Sequence, residues 1–181
     1  MKLRQLYNFA YFKYDDLTLS LSKLQKNDEM LQKVGDIHLK KILVPIDGSI
    51  YSMKAAKYAI EVAKLQKAQI VCIYVISKLS YGYEYAGTLY DEYFEDIKNQ
   101  SQSWFNQINK IAENAGLKNI ETDILINVLS ITDAIISYAS NNSIDLIVIG
   151  TKGRTGIDRF LLGSIASGVV KHAHCPVFIV R

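Results

Sequence analysis

From residue 40 onward the chain alternates between short apolar runs and longer stretches in which apolar positions recur every three or four residues. KKILVPI (40–46) is brief, apolar and rich in β-branched residues, which predicts a buried strand. In SIYSMKAAKYAIEVAKLQ, Met53, Ala56, Tyr58, Ala59, Ile60 and Ala63 recur near helical spacing, with lysines on the other side, which predicts an amphipathic helix. AQIVCIYVI (68–76) predicts a second buried strand. A polar, tyrosine-rich connection then leads to a long helix over about residues 91–115, closed at Ala115–Gly116 in the manner of a C-cap. IETDILIN (120–127) alternates more, as a strand near a sheet edge does. SITDAIISYASNN reads as a helix with Ser130 or Thr132 as N-cap. IDLIVIG (144–150) reads as a fourth strand, Ser164 to His172 as a last helix, and CPVFIV (175–180) as a fifth strand.

This βαβαβαβαβ order predicts an α/β fold: a five-stranded parallel sheet with helices on both faces and right-handed crossovers, of Rossmann-like build. Residues 39–181 form this predicted unit. Residues 1–38 stand outside the alternation. There, LYNFAYFKY (6–14) is dense in aromatic residues, and Leu17, Leu21, Leu24, Leu31 and Val34 share one face of a possible helix. Two readings of this extension weigh about equally: a helix that covers apolar surface of its own domain, or an arm for a protein partner. A third places the true start downstream, at Met30.

With 181 residues, 49% of them hydrophobic, the chain has enough material for one well-buried domain and an appendage. The net charge of +3 is small and its lysines and arginines are scattered, so nucleic acid is not the expected partner. No apolar run reaches the roughly 18 residues of a membrane span, and Asp15 and Asp16 interrupt the N-terminal region where a signal peptide would be apolar. Cys72 and Cys175 each sit in apolar surroundings and read as core thiols, which suits a cytoplasmic location.

The chemistry concentrates after the fourth strand. If the strand order is 3-2-1-4-5, the switch point lies between the first and fourth strands, and open parallel sheets bind ligands there. Asp47–Gly48–Ser49 follows one of those strands and the glycine-rich segment 150–163 the other. Gly150 and Gly153 would let main-chain N–H groups face phosphate oxygens, and Gly163 and Ser164 would open a helix whose free N–H groups favour negative charge. Asp47 could accept from ribose hydroxyls or help to hold a divalent ion, and Pro45 restricts the backbone just before it. A Walker loop is absent, because no glycine precedes Lys-Ser or Lys-Thr, and PIDGSIYS lacks the dinucleotide G-x-G-x-x-G.

These residues resemble the universal stress proteins in their ATP-binding branch. The G-x2-G-x9-G-[ST] pattern of that branch is matched by Gly150, Gly153, Gly163 and Ser164, while KKILVPIDGS resembles the family's opening and LLGSIASGVVKHAHCPVFIVR its ending. The resemblance spans about residues 39–181 and implies a fold similar to the adenine nucleotide alpha hydrolases. It implies ATP as ligand, alone or with Mg or Mn. Gly150, Gly153, Gly163 and Ser164 would hold the phosphates, Ile165 would add its N–H, and Asp47 would meet ribose or the phosphate–metal region. The main chain near Val75 would meet adenine, and Pro45 belongs to the same set. The resemblance further implies a homodimer through Val177, Phe178, Ile179 and Val180. The sequence departs from the family at NVLSITDAI, where a glycine and a proline are common, and the 1–38 extension has no counterpart in the pattern.

Other candidates weigh less. His172, His174 and Cys175 lie too close together, with no further cluster to complete a metal site. Lys152, Arg154 and Arg159 lie near the glycine segment and are as readily solvated as ligated, while Tyr81, Tyr83, Tyr85, Tyr90 and Tyr93 read first as a cover for the sheet end, from which one could reach over an adenine. No nucleophile–base pair and no arginine aimed at a γ-phosphate can be picked out. The expected function is therefore an ATP-binding regulatory protein of the stress response, in which occupancy biases the dimer or a partner surface. The alternatives are an interaction module with a vestigial site and a slow ATPase.

Overall fold

The computed structural model describes residues 39–77, 88–118, 120–153 and 162–181. Five strands and four helices alternate: β1 (Lys41–Pro45), α1 (Ile50–Gln66), β2 (Gln69–Ser77), α2 (Thr88–Asn114), β3 (Glu121–Val128), α3 (Ile131–Asn141), β4 (Leu146–Gly150), α4 (Ser164–His172) and β5 (Val177–Val180). The strands form one sheet in the order β3-β2-β1-β4-β5, and every neighbouring pair is parallel. The expected architecture and strand order are thus observed. The extension 1–38, with Met30, lies outside the described residues, as do Tyr81, Tyr83, Tyr85, Arg154 and Arg159.

The continuous apolar runs are explained by burial on both faces. Along β1, Ile42 and Val44 join one core with Ala55, Ala59 and Ile60 of α1 and Phe105 and Ile108 of α2, while Leu43 joins the other with Ile135 of α3 and Val169 of α4. The alanine face of α1 (Ala55, Ala56, Ala59 and Ala63, all buried) is flat enough for that helix to lie close to the sheet. At the start of the central strands, Oδ2 of Asp145 accepts from the amides of Lys40 and Lys41 at 2.8 and 2.9 Å, tying the entry of β4 to that of β1. β3 lies at one edge of the sheet, as its alternation indicated, and β5 at the other.

Boundaries differ from the sequence reading in physically legible ways. Helix α2 begins at Thr88 rather than near residue 91, so its first turns run through the tyrosine-bearing stretch, and Tyr90 and Tyr93 belong to it. It ends as expected: Gly116 adopts φ +83°, with Gly116 N donating to Glu113 O and Leu117 N to Ala112 O. The last strand starts at Val177, two residues late, because Pro176 has no N–H for the ladder, although its carbonyl accepts from Ile147 N at 3.0 Å. Of the two N-cap candidates, Ser130 is the cap: its Oγ accepts from Asp133 N at 3.2 Å, and Thr132 lies inside α3. Helix α3 therefore starts regularly without the glycine and proline common in the family.

Both cysteines are free, Cys72 buried and Cys175 half-buried. Burial pushes the Cys72 thiol up from 9.0 to about 12, and burial also raises Cys175 to about 11. A folded value above the unfolded one gives stability that is complete below pH 9 and is lost as pH rises toward 12. The stability difference between wild type and Cys72→Ala should therefore shrink by about 1.4 kcal/mol per pH unit above 9. Urea unfolding at pH 8, 9.5 and 10.5 measures it, and a constant difference would refute the assignment.

Candidate functional site

The carboxyl ends of β2, β1 and β4 open into a cleft of about 750 Å³. That volume lies within the roughly 300–1,000 Å³ of small-molecule sites. Pro45, Asp47, Val75, Gly150, Gly153, Gly163, Ser164 and Ile165, the eight residues singled out from the sequence, all line it. They come from segments as far apart as 45 and 165 and meet because β1 and β4 are adjacent in the sheet.

The β1 side is built around one turn. Gly48 has φ +77°, which allows the chain to reverse after β1. Ser49 then caps α1, its Oγ accepting from Ser52 N at 3.1 Å, a contact of about 1 kcal/mol. Oδ1 of Asp47 accepts from Ser49 N at 3.0 Å, and Asp47 N donates to Ser52 Oγ at 3.3 Å, so the carboxylate is held by the same turn that starts the helix. Trp104 of α2, the sole tryptophan, stands directly over Gly48 and meets Tyr74 edge-on at 5.3 Å.

The β4 side is held by glycines for a reason the sequence did not disclose. A Cβ on Gly150 would stand 2.7 Å from the carbonyl carbon of Tyr51 and 3.0 Å from Ser52 N, so this glycine lets β4 pass against the first turn of α1. A Cβ on Gly153 would stand 2.8 Å from Oδ2 of Asp47. The two strand tips are thus in contact, and Ser49 Oγ also reaches Lys152 O at 3.5 Å. Beyond the gap in the described residues, Gly163 N donates to Thr151 O at 2.7 Å, which seats the start of α4 beside the end of β4. Gly163 is the N-cap of α4 and offers no side-chain oxygen, so the first amides of this nine-residue helix have no side-chain cap.

Several lining residues escaped the sequence reading. Ile73, Ile131, Ile135 and Ile149 supply an apolar floor from β2, α3 and β4, while Asp96 and Gln100 of α2 stand exposed at the rim. Their apolar or helical patterning signals core or surface equally well, and only the tertiary structure, which brings residues of α2 and α3 to the same strand ends, assigns them to a cleft. Lys152 lines the cleft and is half-buried. Among the described residues no three His, Cys, Asp or Glu side chains gather in a metal-binding group, and no helix is long and apolar enough to cross a membrane.

Fold and cleft together define an open, doubly wound α/β protein with a ligand-sized cleft at its topological switch point. The chain belongs to the universal stress protein family, whose pattern matches residues 38–181. It is 40% identical over 147 residues to a universal stress protein of Methanocaldococcus jannaschii, an alignment covering 81% of this chain and 85% of the relative. Among solved structures, UspA of Lactobacillus plantarum superposes with a TM-score of 0.68 at 26% identity, covering 80% of this chain and 99% of that one. A universal stress protein in complex with cAMP shares the fold, with a TM-score of 0.58 at 23% identity over 80% of this chain and 98% of its own.

Proposed function

We propose that this universal stress protein binds an adenine nucleotide, ATP in the first instance, and acts as a regulator whose occupancy is passed to a dimer or partner surface. The observation that carries the proposal is the contact between two strand tips: the Asp47 carboxylate beside Gly153, next to an α4 N-terminus without a side-chain cap, all within one cleft. A carboxylate suits ribose hydroxyls or a metal, free helix amides suit phosphate, and an isoleucine floor suits the flat apolar face of a base. In this reading Gly153, Gly163, Ser164 and the Ile165 amide receive the phosphates, with Gly150 setting the course of the strand that leads to them. Pro45 and Asp47 flank the ribose, and the Val75 main chain meets the adenine. That a protein of the same fold has been solved with cAMP agrees with an adenine ligand.

Mg or Mn fits this donor set. Asp47 supplies one hard oxygen ligand, and Mg is commonly held by one or two carboxylates together with substrate phosphates. The bound metal would offset phosphate charge.

A backbone hydrogen bond supports a link between the cleft and the sheet edge. Thr151 N, at the start of the glycine segment, donates to Val180 O of β5 at 2.7 Å. A shift of Thr151 on ligand binding would therefore reach the end of the edge strand. A homodimer formed through Val177, Phe178, Ile179 and Val180 would feel it, and pairing would also cover a sheet edge that is otherwise open to unwanted strand addition.

Addition of ATP and Mg at about 100 times Kd should stabilise the protein by about 2.7 kcal/mol, read as a rise in melting temperature that grows with the logarithm of ligand concentration. Because Trp104 sits on the Gly48 turn, its fluorescence should change over the same titration. Nucleotide released by heat from the purified protein and identified by chromatography provides a second readout. A protein with no bound nucleotide, no thermal shift and no fluorescence change would overturn the proposal.

A further inference from the structure

Helix α1 turns Ala55, Ala56, Ala59 and Ala63 to the sheet and Lys57 and Lys64 to solvent. Between these faces runs a third stripe: Tyr51, Tyr58, Val62 and Leu65 fall within about 60° of one another around the helix. Tyr51, Tyr58 and Val62 are half-buried, and Leu65 is 65% exposed. The stripe lies on the flank toward the β5 edge of the sheet, where Tyr58 meets Phe178 edge-on at 6.1 Å. A lone exposed leucine is ordinary, but one that continues a half-buried stripe along the helix marks a face built to be covered. The chain that precedes β1 arrives at the same end of the sheet. Leu39 is buried ahead of β1, and Gln69 N donates to Lys40 O at 2.8 Å, just past the end of α1.

We propose that residues 17–34 of the same chain dock as a helix along this flank of α1, with Leu17, Leu24 and Leu31 against Tyr51, Tyr58 and Leu65. Both triplets repeat every seven residues and rise about 21 Å at 1.5 Å per residue, so a single register matches all three pairs. In that register the two helices run the same way. Residues 32–38 then join the foot of α1 to Leu39, with a reach of up to about 23 Å when extended. Charge favours this occupant over a second copy of the chain. Along α1 and its cap stand Lys54, Lys57, Lys64 and Lys67 against Glu61 alone, so two such flanks would bring lysine to lysine. The extension carries Asp15, Asp16, Asp28, Glu29 and Asp36 against Lys23, Lys26 and Lys33, the opposite balance. Attachment adds to the preference, because a tethered segment meets its site at an effective concentration of about millimolar. Docking takes Leu65 out of water and covers the leucine stripe of the extension in the same step. The inference is independent of the nucleotide reading.

The test is hydrogen–deuterium exchange of the full chain at low and high protein concentration. Amides of residues 17–34 should exchange at least about tenfold slower than those of an unstructured chain, equally at both concentrations. Leu65→Lys should speed that exchange by at least about tenfold, and Leu65→Ala should act in the same direction should the lysine variant fail to fold. Leu129→Lys changes a residue that is 77% exposed at the opposite end of the sheet, and should leave the exchange of 17–34 unaltered. Leu31→Cys combined with Leu65→Cys, in a Cys175→Ser background, should give a disulfide within one chain on oxidation, because docking brings the two Cα atoms within the roughly 7 Å that a disulfide spans. Exchange of 17–34 at the unstructured rate in wild type would overturn the inference. So would protection that survives both Leu65→Lys and Leu65→Ala, or a disulfide that does not form. Protection lost on dilution, or a disulfide formed only between chains, would assign the flank to a second copy and overturn it equally.

Discussion

Gly153→Val should weaken ATP binding by about ten- to a hundredfold while the unliganded protein stays within about 1 kcal/mol of wild-type stability. The physical reason is the position of the new Cβ, 2.8 Å from Oδ2 of Asp47. Asp47 is a side chain and can turn away, and the backbone at Gly153 is not in the left-handed region, so the fold has no reason to fail. Turning away breaks the bond from Ser49 N to Oδ1 and removes the carboxylate from the cleft. The loss of such a bond costs about 1 kcal/mol, whereas a ligand contact to a charged group carries more. Calorimetric titration and urea unfolding on the same preparation separate the two quantities. Wild-type ATP affinity in a folded Gly153→Val would remove Asp47 and Gly153 from the proposed site.

Gly150→Ala should behave in the opposite way, lowering stability by about 1–3 kcal/mol with or without ligand. Its Cβ would meet the carbonyl carbon of Tyr51 at 2.7 Å, the Tyr51 Cβ at 2.8 Å and Ser52 N at 3.0 Å. Most of this is backbone, in the capped first turn of α1, and cannot rotate out of the way. β4 and α1 must instead move apart, which strains the pairing of β4 with β1 and β5. Urea midpoints measured beside Gly153→Ala give the comparison. Equal, near-zero effects at both positions would mean that β4 does not pass α1 this closely. The two substitutions affect neighbouring glycines of a single motif, yet one should be read in affinity and the other in folding.

That contrast shows where sequence reasoning stopped. The spacing of Gly150, Gly153, Gly163 and Ser164 was legible, and so was the reason to look there, since a parallel α/β order places its ligand cleft at the ends of adjacent central strands. What the spacing could not tell was which glycine is required by packing against a distant helix. Gly150 lies against Tyr51 and Ser52 of α1, far away in sequence, and nothing local records that contact. The outer flank of α1 was passed over for a similar reason. Apolar residues at helical spacing are ordinary, and the interest of this stripe comes from Leu65, which the packing leaves in solvent.

Alternation of apolar runs with helical periodicity, the capping residue Ser130 and the helix-ending Gly116 were written into the chain locally, because burial period and cap chemistry act over a few residues. These settled the order of elements, and the parallel α/β order narrowed the topology to the one observed. Contacts between distant segments were decided only on folding: the Asp47 carboxylate against Gly153, Trp104 on the Gly48 turn, the isoleucine floor shared by β2, α3 and β4, and the late start of β5. Such contacts depend on three-dimensional packing at close range, where a few tenths of an ångström separate a fit from a clash, and no one-dimensional pattern carries that information.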